Sequence, residues 1–527
     1  MHSPDEDFER VFAHLASLKA HRNSIAPIFR LPTELLVEIS LRLSDLPCKT
    51  ITKVCRHWHA ISSATPALWT RVELDLWNQQ RFLSQMRLSG GLPLTISIRM
   101  LDSPRAASLV LEHAGRIASL SILGRVRYVL HFMHEMRHFA FPLLRSLVLD
   151  PFVNDDEIGI DGNNVMPPKL LDPDEIGIEG NNGHHCLRQL EVFDIDGSWQ
   201  SLRALQSLSL LPAVGLPFHT LLAVLAECPE MRVLDLDMAT GRALPGRCHP
   251  VRLPCLERLV ICDRTAVCVD LLAHLVFPHT TCLDLIPQAV HCAAELHDIM
   301  DAVHRHLRAQ DTPAIRMMHI AGPASINDPE YYFAITTLAA VDSIARFDSV
   351  EEDARFAVTT YPEDNCARTE IMELVLSALA TQNITHLNIV DAALTLAPCK
   401  VALTLLPALE TITLMLGETG TCFCEAVLDS ESAHTLRGIN VYARVPADAA
   451  EHTDSFIDML GRLLDSCRQS GRPLLHLRVE VAPFNDVTKA DELWDKDEYQ
   501  AYEAKWAGIR CLVGEFVWEK LESSFVQ

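Results

Sequence analysis

A short aliphatic pattern recurs along most of this chain, and its spacing limits the folds that the sequence can adopt. The pattern is φ-x-x-φ-x-φ, where φ is aliphatic, as in Leu144-Leu147-Leu149. The alternation at its end is typical of a strand with one buried face. The middle aliphatic residue falls at positions 72, 96, 120 and 147, and later at 208, 234, 259 and 283. Such a spacing predicts a repeated unit that stacks on its neighbours along the chain.

The composition agrees with stacked repeats. At 527 residues the chain is too long for one compact core. Hydrophobic residues make up 49% of it and aromatic residues only 6%, so its buried layers must be mainly aliphatic. Helix-like apolar runs lie between the predicted strands at 218–228, 268–277 and 369–380. We therefore expect an α/β fold in which strands and helices alternate.

On this strand–helix spacing, residues 71–482 resemble leucine-rich-repeat proteins, whose units run at about 20–29 residues. The resemblance implies a horseshoe-shaped solenoid with degenerate repeats. The repeat register is lost between positions 318 and 387, where residues 342–360 are candidates for one or two poor strands. A further gap coincides with a duplication: DEIGIDGNN (156–164) recurs as DEIGIEGNN (174–182). Its turn-forming composition predicts a duplicated loop insertion at 150–183.

The first 70 residues have a different, helical pattern. Residues 1–25 contain an amphipathic helix with Phe8, Val11, Leu15 and Leu18 at helical spacing. Residues 26–70 then hold two or three short apolar helices, which bury too little surface to be stable by themselves. Their apolar faces must dock on the rest of the chain or on a partner.

The residues of this segment resemble the F-box family. The sequence reads L-P-x-E-L-L from Leu31, with V-C-R-x-W from Val54 and a trailing Leu68-Trp69. The resemblance implies docking onto a Skp-type adaptor, which joins a cullin and RING ligase core. The residues that it assigns to the adaptor contact are Leu31, Pro32, Leu35, Leu36, Ile39, Leu43, Val54, Cys55 and Trp58.

One departure from the family pattern lies between Leu43 and Val54. Pro47 and Cys48 stand there, where an unbroken second helix is expected. The alternative to an adaptor-binding motif is an ordinary helical cap on the repeats.

The sharpest enzymatic motif is H-E-x-x-H at His134, Glu135 and His138. On a helix the two histidines would share a face and bind zinc, with the glutamate as general base. The context is poor, because the motif lies in the helix position of a repeat and Arg137 places a charge inside it. Cys422 and Cys424 form a lone C-x-C without a second pair at metal spacing. We expect no metal and no cofactor.

The charge balance bears on partners and location. A formal net charge of −24 disfavours phosphate backbones and acidic membranes, so we expect neither nucleic acid nor membrane as a partner. The first ten residues are acidic and lack the apolar core of a secretory leader. We therefore expect the 16 cysteines to be reduced and the protein to be cytoplasmic, nuclear or both. Residues 483–527 are acidic, and we predict a helical cap or tail.

Together these patterns favour a non-catalytic substrate-recognition subunit of an SCF-type cullin-RING ubiquitin ligase, which would bind a protein substrate through its repeats. A repeat scaffold with no ligase role is the alternative. A zinc hydrolase at His134 and His138 is a third hypothesis.

Overall fold

The computed structural model of this chain describes most of its residues, in segments separated by gaps. The described segments are 4–42, 48–75, 78–101, 103–152, 187–193, 202–211, 217–237, 249–288, 290, 293–307, 314–322, 332–339, 354–361, 365–390, 394–430, 435–445, 450–483, 504 and 506–520. Leu43, the duplicated loop and most of the predicted tail lie outside them. The chain divides into two compact units, Met1–Leu190 and Glu191–Gln527.

The first unit begins with helices and continues as alternating strands and helices. Its helices are α1 (Pro4–Ile25), α2 (Thr33–Arg42), α3 (Cys48–Val54), α4 (Arg56–Ala64), α5 (Gln79–Leu88), α6 (Pro104–Leu111) and α7 (Val126–Met136). Short 3-10 helices lie at Pro27–Arg30, Pro66–Trp69 and Ala114–Arg116. Its strands are β1 (Arg71–Leu74), β2 (Leu94–Leu101), β3 (Ile117–Arg125) and β4 (Ser146–Phe152). Strand β5 (Gln189–Phe193) lies at the boundary.

The second unit continues the alternation. Its helices are α8 (Phe218–Ala226), α9 (Thr265–His274), α10 (Ala293–Leu307), α11 (Asn365–Ala378), α12 (Leu396–Leu405), α13 (Glu418–Asp429) and α14 (Ala450–Gln469). Its strands are β6 (Ser207–Leu211), β7 (Val233–Asp237), β8 (Val251–Arg252), β9 (Arg258–Arg264), β10 (Leu275–Val276), β11 (Cys282–Gln288), β12 (Met317–Ala321), β13 (Phe333–Leu338), β14 (Ala354–Thr360), β15 (His386–Val390), β16 (Thr411–Met415), β17 (Gly438–Val445), β18 (His476–Pro483) and β19 (Glu515–Lys520).

Strands with the φ-x-φ ending pair in parallel and in register, which confirms the predicted strand positions. In the first unit Leu120 of β3 lies opposite Ile96 of β2 and Leu147 of β4. In the second unit Leu259 of β9 lies opposite Leu234 of β7, and the same alignment continues through β15, β16, β17 and β18. Their aliphatic side chains are buried, and helices connect most of the strands. The fold class is therefore mixed α/β with a helical amino-terminal region, as predicted.

The segment where the register was lost folds as an antiparallel excursion. Strand β12 pairs in parallel with β15, while β13 runs antiparallel between β12 and β14. Strand β14 pairs in parallel with β11. The aliphatic pattern did not predict β13, because consecutive residues of this strand are buried: Thr336, Thr337 and Leu338. The alternation that marks the other strands is therefore absent from β13.

Most of the predicted carboxyl-terminal cap or tail, including residues 484–503, lies outside the described residues. In the part of this region that the structure describes, Arg510–Leu512 form a 3-10 helix and Glu515–Lys520 form β19, which pairs in parallel with β18. Trp506 is fully buried against Phe456 of α14, with ring centroids 6.4 Å apart. In the described part of this segment, Trp506 packs against α14 and β19 pairs with β18. Among the described helices, none is long and apolar enough to cross a membrane.

Candidate functional site

The amino-terminal helices lie next to one another and next to β1. Pro32 directly precedes α2. Its carbonyl accepts hydrogen bonds from the backbone N–H groups of Leu35 and Leu36 at 3.1 and 3.2 Å. Proline suits this position because its own nitrogen has no N–H to satisfy. Helix α3 ends at Val54 and α4 begins at Arg56, so Cys55 separates them in an extended conformation.

A small core holds these helices against the first strand. Leu36, Ile51, Leu68 and Trp69 are all buried, as is Val72 of β1. Leu68 and Trp69 belong to the 3-10 helix that leads into the strand, so the helical segment and the sheet share one apolar interior. A segment of about 40 residues buries too little apolar surface to stay folded by itself, so it needs apolar contacts with its neighbours.

Two side-chain hydrogen bonds fix the inner geometry. The Trp69 indole Nε1 donates to the Ser62 carbonyl at 2.7 Å, which joins the end of α4 to the following 3-10 helix. The Ser40 hydroxyl donates to the Leu36 carbonyl at 2.7 Å inside α2. Both satisfy polar groups that burial would otherwise penalise by about 1–3 kcal/mol each.

Large apolar side chains remain on the outside of the same helices. Leu35, Ile39 and Val54 are 49%, 39% and 58% exposed. Ile28, in the preceding 3-10 helix, is also exposed. We call Ile28, Leu35, Ile39 and Val54 the exposed apolar set. Single exposed aliphatic residues are common, but several within one short helical segment are typical of an interaction surface.

The other predicted contact residues fall into three environments. Pro32 is exposed, whereas Leu31, Cys55 and Trp58 are half-buried. Leu36 is only 1% exposed and belongs to the small core, so it supports α2 from inside. Leu43 lies outside the described residues.

Trp58 combines an apolar ring with an unsatisfied donor. Its indole Nε1 is buried and has no hydrogen-bond partner in the part of the chain that the structure describes. An unpaired buried donor costs about 1–3 kcal/mol, so a binding partner that supplied an acceptor would recover that free energy.

The H-E-x-x-H motif does not form the helical arrangement that zinc binding requires. Helix α7 ends at Met136, before His138. His134 and His138 are exposed and stand edge to face with ring centroids 6.1 Å apart. In the part of the chain that the structure describes, no group of three or more His, Cys, Asp or Glu side chains is arranged to hold a metal ion.

The C-x-C cysteines lie among buried thiols. Cys424 and Cys399 are buried and Cys422 is half-buried on the neighbouring helices α12 and α13. Burial raises the pKa of the Cys424 thiol to about 12. A thiol that stays protonated at neutral pH is a poor nucleophile and a poor metal ligand.

A second candidate surface runs across the strands of the second unit. The residue between two buried residues of each strand lies on the opposite face of the sheet, where Thr336, Asn388 and Thr413 are buried, and register brings these residues side by side. We call them the strand-face row, which consists of Asp235, Val260, Asp284, Ala357, Thr336, His319, Asn388, Thr413 and Asn440. The sequence analysis predicted none of them. The x of φ-x-φ marks most of their positions, but Thr336 lies in β13, which lacks this pattern.

The two ends of the strand-face row differ in chemistry. At one end burial raises the pKa of Asp235 to about 6, against the opposing effect of Arg258 and together with Asp237 and Asp284. At the other end Asn440 donates to the Thr413 hydroxyl at 3.2 Å. Between them, burial lowers the pKa of His319 to about 4, so its imidazole is neutral at physiological pH.

Comparison with known families agrees with the amino-terminal geometry. The F-box-like family model matches residues 28–75, the segment that runs from Ile28 to Asp75 just after β1. No curated protein matches the chain. The chain therefore carries an F-box-like domain, which points to a role in adaptor or substrate recognition for a ubiquitin ligase.

Proposed function

We propose that this chain is the substrate-recognition subunit of an SCF-type cullin-RING ubiquitin ligase. The observation that carries the proposal is the coincidence of the F-box-like match at residues 28–75 with the exposed apolar set on the same helices. F-box domains typically bind Skp-type adaptors in cullin-RING ligases. The role needs no catalytic residues, because such a subunit acts by holding a substrate near activated ubiquitin.

The adaptor contact in this proposal is made by Leu35, Ile39 and Val54, with Trp58 at its edge. Their burial in an interface would remove exposed aliphatic surface from water at about 25 cal/mol per Å². An acceptor on the adaptor would satisfy Trp58 Nε1, which has no hydrogen-bond partner among the described residues. Leu31, Pro32 and Cys55 border this surface and are part of the proposed contact.

The substrate contact in this proposal is made by the repeats. Parallel in-register strands, joined by helices at the leucine-rich-repeat spacing, support a degenerate leucine-rich-repeat solenoid over residues 71–482. In such an array the strand-lined face is the usual binding face, so the strand-face row is the proposed substrate surface. We further propose that the protein is cytoplasmic, nuclear or both, and that it binds the ligase core and its substrates in those compartments.

The test is binding of the intact chain to a purified Skp-type adaptor. We expect Leu35→Ala/Trp58→Ala to weaken binding at least about tenfold, because few residues carry most of the free energy of an interface. Since Trp58 is half-buried and its loss could disturb folding, Leu35→Glu/Val54→Glu provides a second variant at two exposed positions.

The matched control is Leu475→Glu, which places the same charge at an exposed leucine outside the F-box-like domain. Wild-type affinity is expected for this control. An intact chain that does not bind the adaptor would contradict the ligase role, and it would favour a repeat scaffold whose helical segment is only a cap.

A further inference from the structure

Helix α1 exposes a row of aliphatic side chains that the F-box-like domain does not use. Val11, Leu15 and Leu18 are 65%, 46% and 54% exposed, and Ile25 at the end of the helix is also exposed. The helix precedes the family match, which begins at residue 28. Exposure of this many aliphatic residues on one helix is unfavourable in water and indicates a surface that another molecule covers.

The spacing of these residues is that of a coiled-coil seam. Positions 11, 15, 18 and 25 alternate steps of four and three, with Arg22 at the position that would complete the series. Phe8 extends the same series toward the amino terminus in the sequence. A repeat of 3.5 residues places such side chains along one stripe, which pairs with a matching stripe on a second helix. At 22 residues the helix is about 33 Å long.

The charges of α1 divide between its two halves. Its first turns contain Asp5, Glu6, Asp7 and Glu9 with one base, Arg10, whereas Lys19, His21 and Arg22 lie near its end. A parallel pair of such helices would place acidic beside acidic and basic beside basic residues. An antiparallel pair places the acidic start of each helix beside the basic end of the other, which is favourable for both ends.

The two patterns agree on one register. If residue 13 of one helix lies at the level of residue 13 of the other, then position 11 faces 15 and position 8 faces 18 in the seam, while position 5 lies across from 19 beside it. Aliphatic positions then meet along the seam, and acidic positions meet basic ones beside it. This agreement between seam and charge identifies the partner, because it requires the sequence of α1 on both sides.

We propose that α1 pairs antiparallel with α1 of a second copy of this chain. The interaction surface is separate from the adaptor-binding surface, so dimerisation does not depend on the proposed ligase role. A seam of about six positions per helix supports a weak, reversible dimer, and its charged flanks make it sensitive to salt.

The test is sedimentation equilibrium of the intact chain, without adaptor, at low and high salt. We expect a concentration-dependent dimer whose dissociation constant rises at least about tenfold in Leu15→Glu, which puts a charge in the seam. Ser17→Glu adds the same charge at an exposed position outside the seam and should leave the dissociation constant within about twofold of the wild type.

A charge exchange tests the antiparallel pairing itself. Lys19→Glu/Arg22→Glu makes both ends of α1 acidic. Asp5→Lys/Asp7→Lys removes two acidic residues from the start of α1 and adds two bases, while the end of the helix stays basic. Each variant alone should lose self-association at least tenfold, while an equimolar mixture of the two should recover it. Recovery cannot come from misfolding, because neither variant changes when they are mixed except through contact with the other.

Several outcomes would overturn the proposal. A chain that stays monomeric at about 100 μM would show that α1 does not bind itself, since a dimer that weak has no stable interface. Dimerisation unchanged by Leu15→Glu would place the interface elsewhere. A monomer that floats with vesicles of phosphatidylcholine and phosphatidylserine would assign the exposed face to a lipid surface.

Discussion

Leu35 and Leu36 are adjacent leucines of α2 with opposite surroundings, since Leu35 is about half exposed and Leu36 is fully buried. Their substitution should therefore separate binding from folding. Leu35→Glu is expected to leave the free energy of unfolding within about 0.5 kcal/mol of the wild type while it weakens adaptor binding. Leu36→Ala should lower that free energy by about 2–5 kcal/mol, because it leaves a cavity.

Chemical denaturation and adaptor binding, measured on both variants, check this prediction. If Leu35→Glu unfolded the domain as Leu36→Ala is expected to do, the exposed apolar set would belong to the core and would not be available to a partner.

Gly124 lies where two strands approach closely. A Cβ at this position would stand 2.6 Å from the Leu101 Cβ and 2.8 Å from the Leu101 carbonyl oxygen. Because part of this obstruction is backbone, Gly124→Ala should destabilise the first unit by about 1–3 kcal/mol. Gly115→Ala, where a Cβ would meet nothing within 4 Å, is the control and should be near neutral in a thermal melt. Equal melting temperatures for the two variants would contradict the close approach of β2 and β3.

His319 predicts a pH dependence of stability. Burial lowers the pKa of its imidazole to about 4, below the ordinary value of 6.5. Between these two values the unfolded chain binds a proton that the folded chain does not, so stability falls as the pH falls from about 6.5 to 4. His306, whose pKa burial also lowers to about 4, contributes in the same direction.

The variant His319→Gln should reduce this acid dependence without removing it. Melting temperatures between pH 4 and pH 7 measure the slope, and His219→Gln on the exposed surface of α8 serves as the control. A slope unchanged by His319→Gln would show that the imidazole is open to solvent in the folded protein.

At the residue level the sequence predicted chemistry better than environment. The motif from Leu31 to Trp58 predicts apolar contact residues, but both leucines of Leu35-Leu36 match it equally. Only the packing of α2 against α4 and the 3-10 helix at Pro66–Trp69 decides which of them faces inward. The strand-face row was missed for a related reason, since its members have mixed chemistry and only strand register brings them together.

At the level of elements, strands with alternating buried residues were predictable and strands without alternation were not. The φ-x-φ ending located β3, β4, β9 and β16 because each buries two aliphatic residues that are two positions apart. Strand β13 buries both faces, so its sequence shows no period of two. The acidic residues of 483–527 suggested a helix, whereas pairing with β18 determines β19.

Trp506 is the element-level test of how the carboxyl terminus is attached. Trp506→Ala should lower the free energy of unfolding by about 3–5 kcal/mol, because the indole is fully buried beside Phe456. Leu475→Ala, at an exposed side chain just before β18, should change it by less than about 0.5 kcal/mol. Denaturant unfolding of both variants makes the comparison, and a small effect of Trp506→Ala would show that residues 506–520 are not part of the folded unit.

At the scale of the whole molecule, the fold separates recognition tasks along the chain. The amino-terminal helices carry the exposed apolar set, while the strands of the second unit carry the strand-face row. A net charge of −24 adds long-range repulsion toward acidic partners, which favours neutral or basic protein surfaces at both. The proposed substrate-recognition role needs this division, because such a subunit must hold the ligase core and a substrate at the same time.

Assembly with the ligase core tests the central claim most directly. The intact chain, a purified Skp-type adaptor and a cullin would be mixed and separated by size-exclusion chromatography with light scattering. The account predicts a complex that contains all three proteins, with one adaptor for each chain, and its loss with Leu35→Glu/Val54→Glu but not with Leu475→Glu. A chain that elutes apart from the adaptor and the cullin would contradict the account.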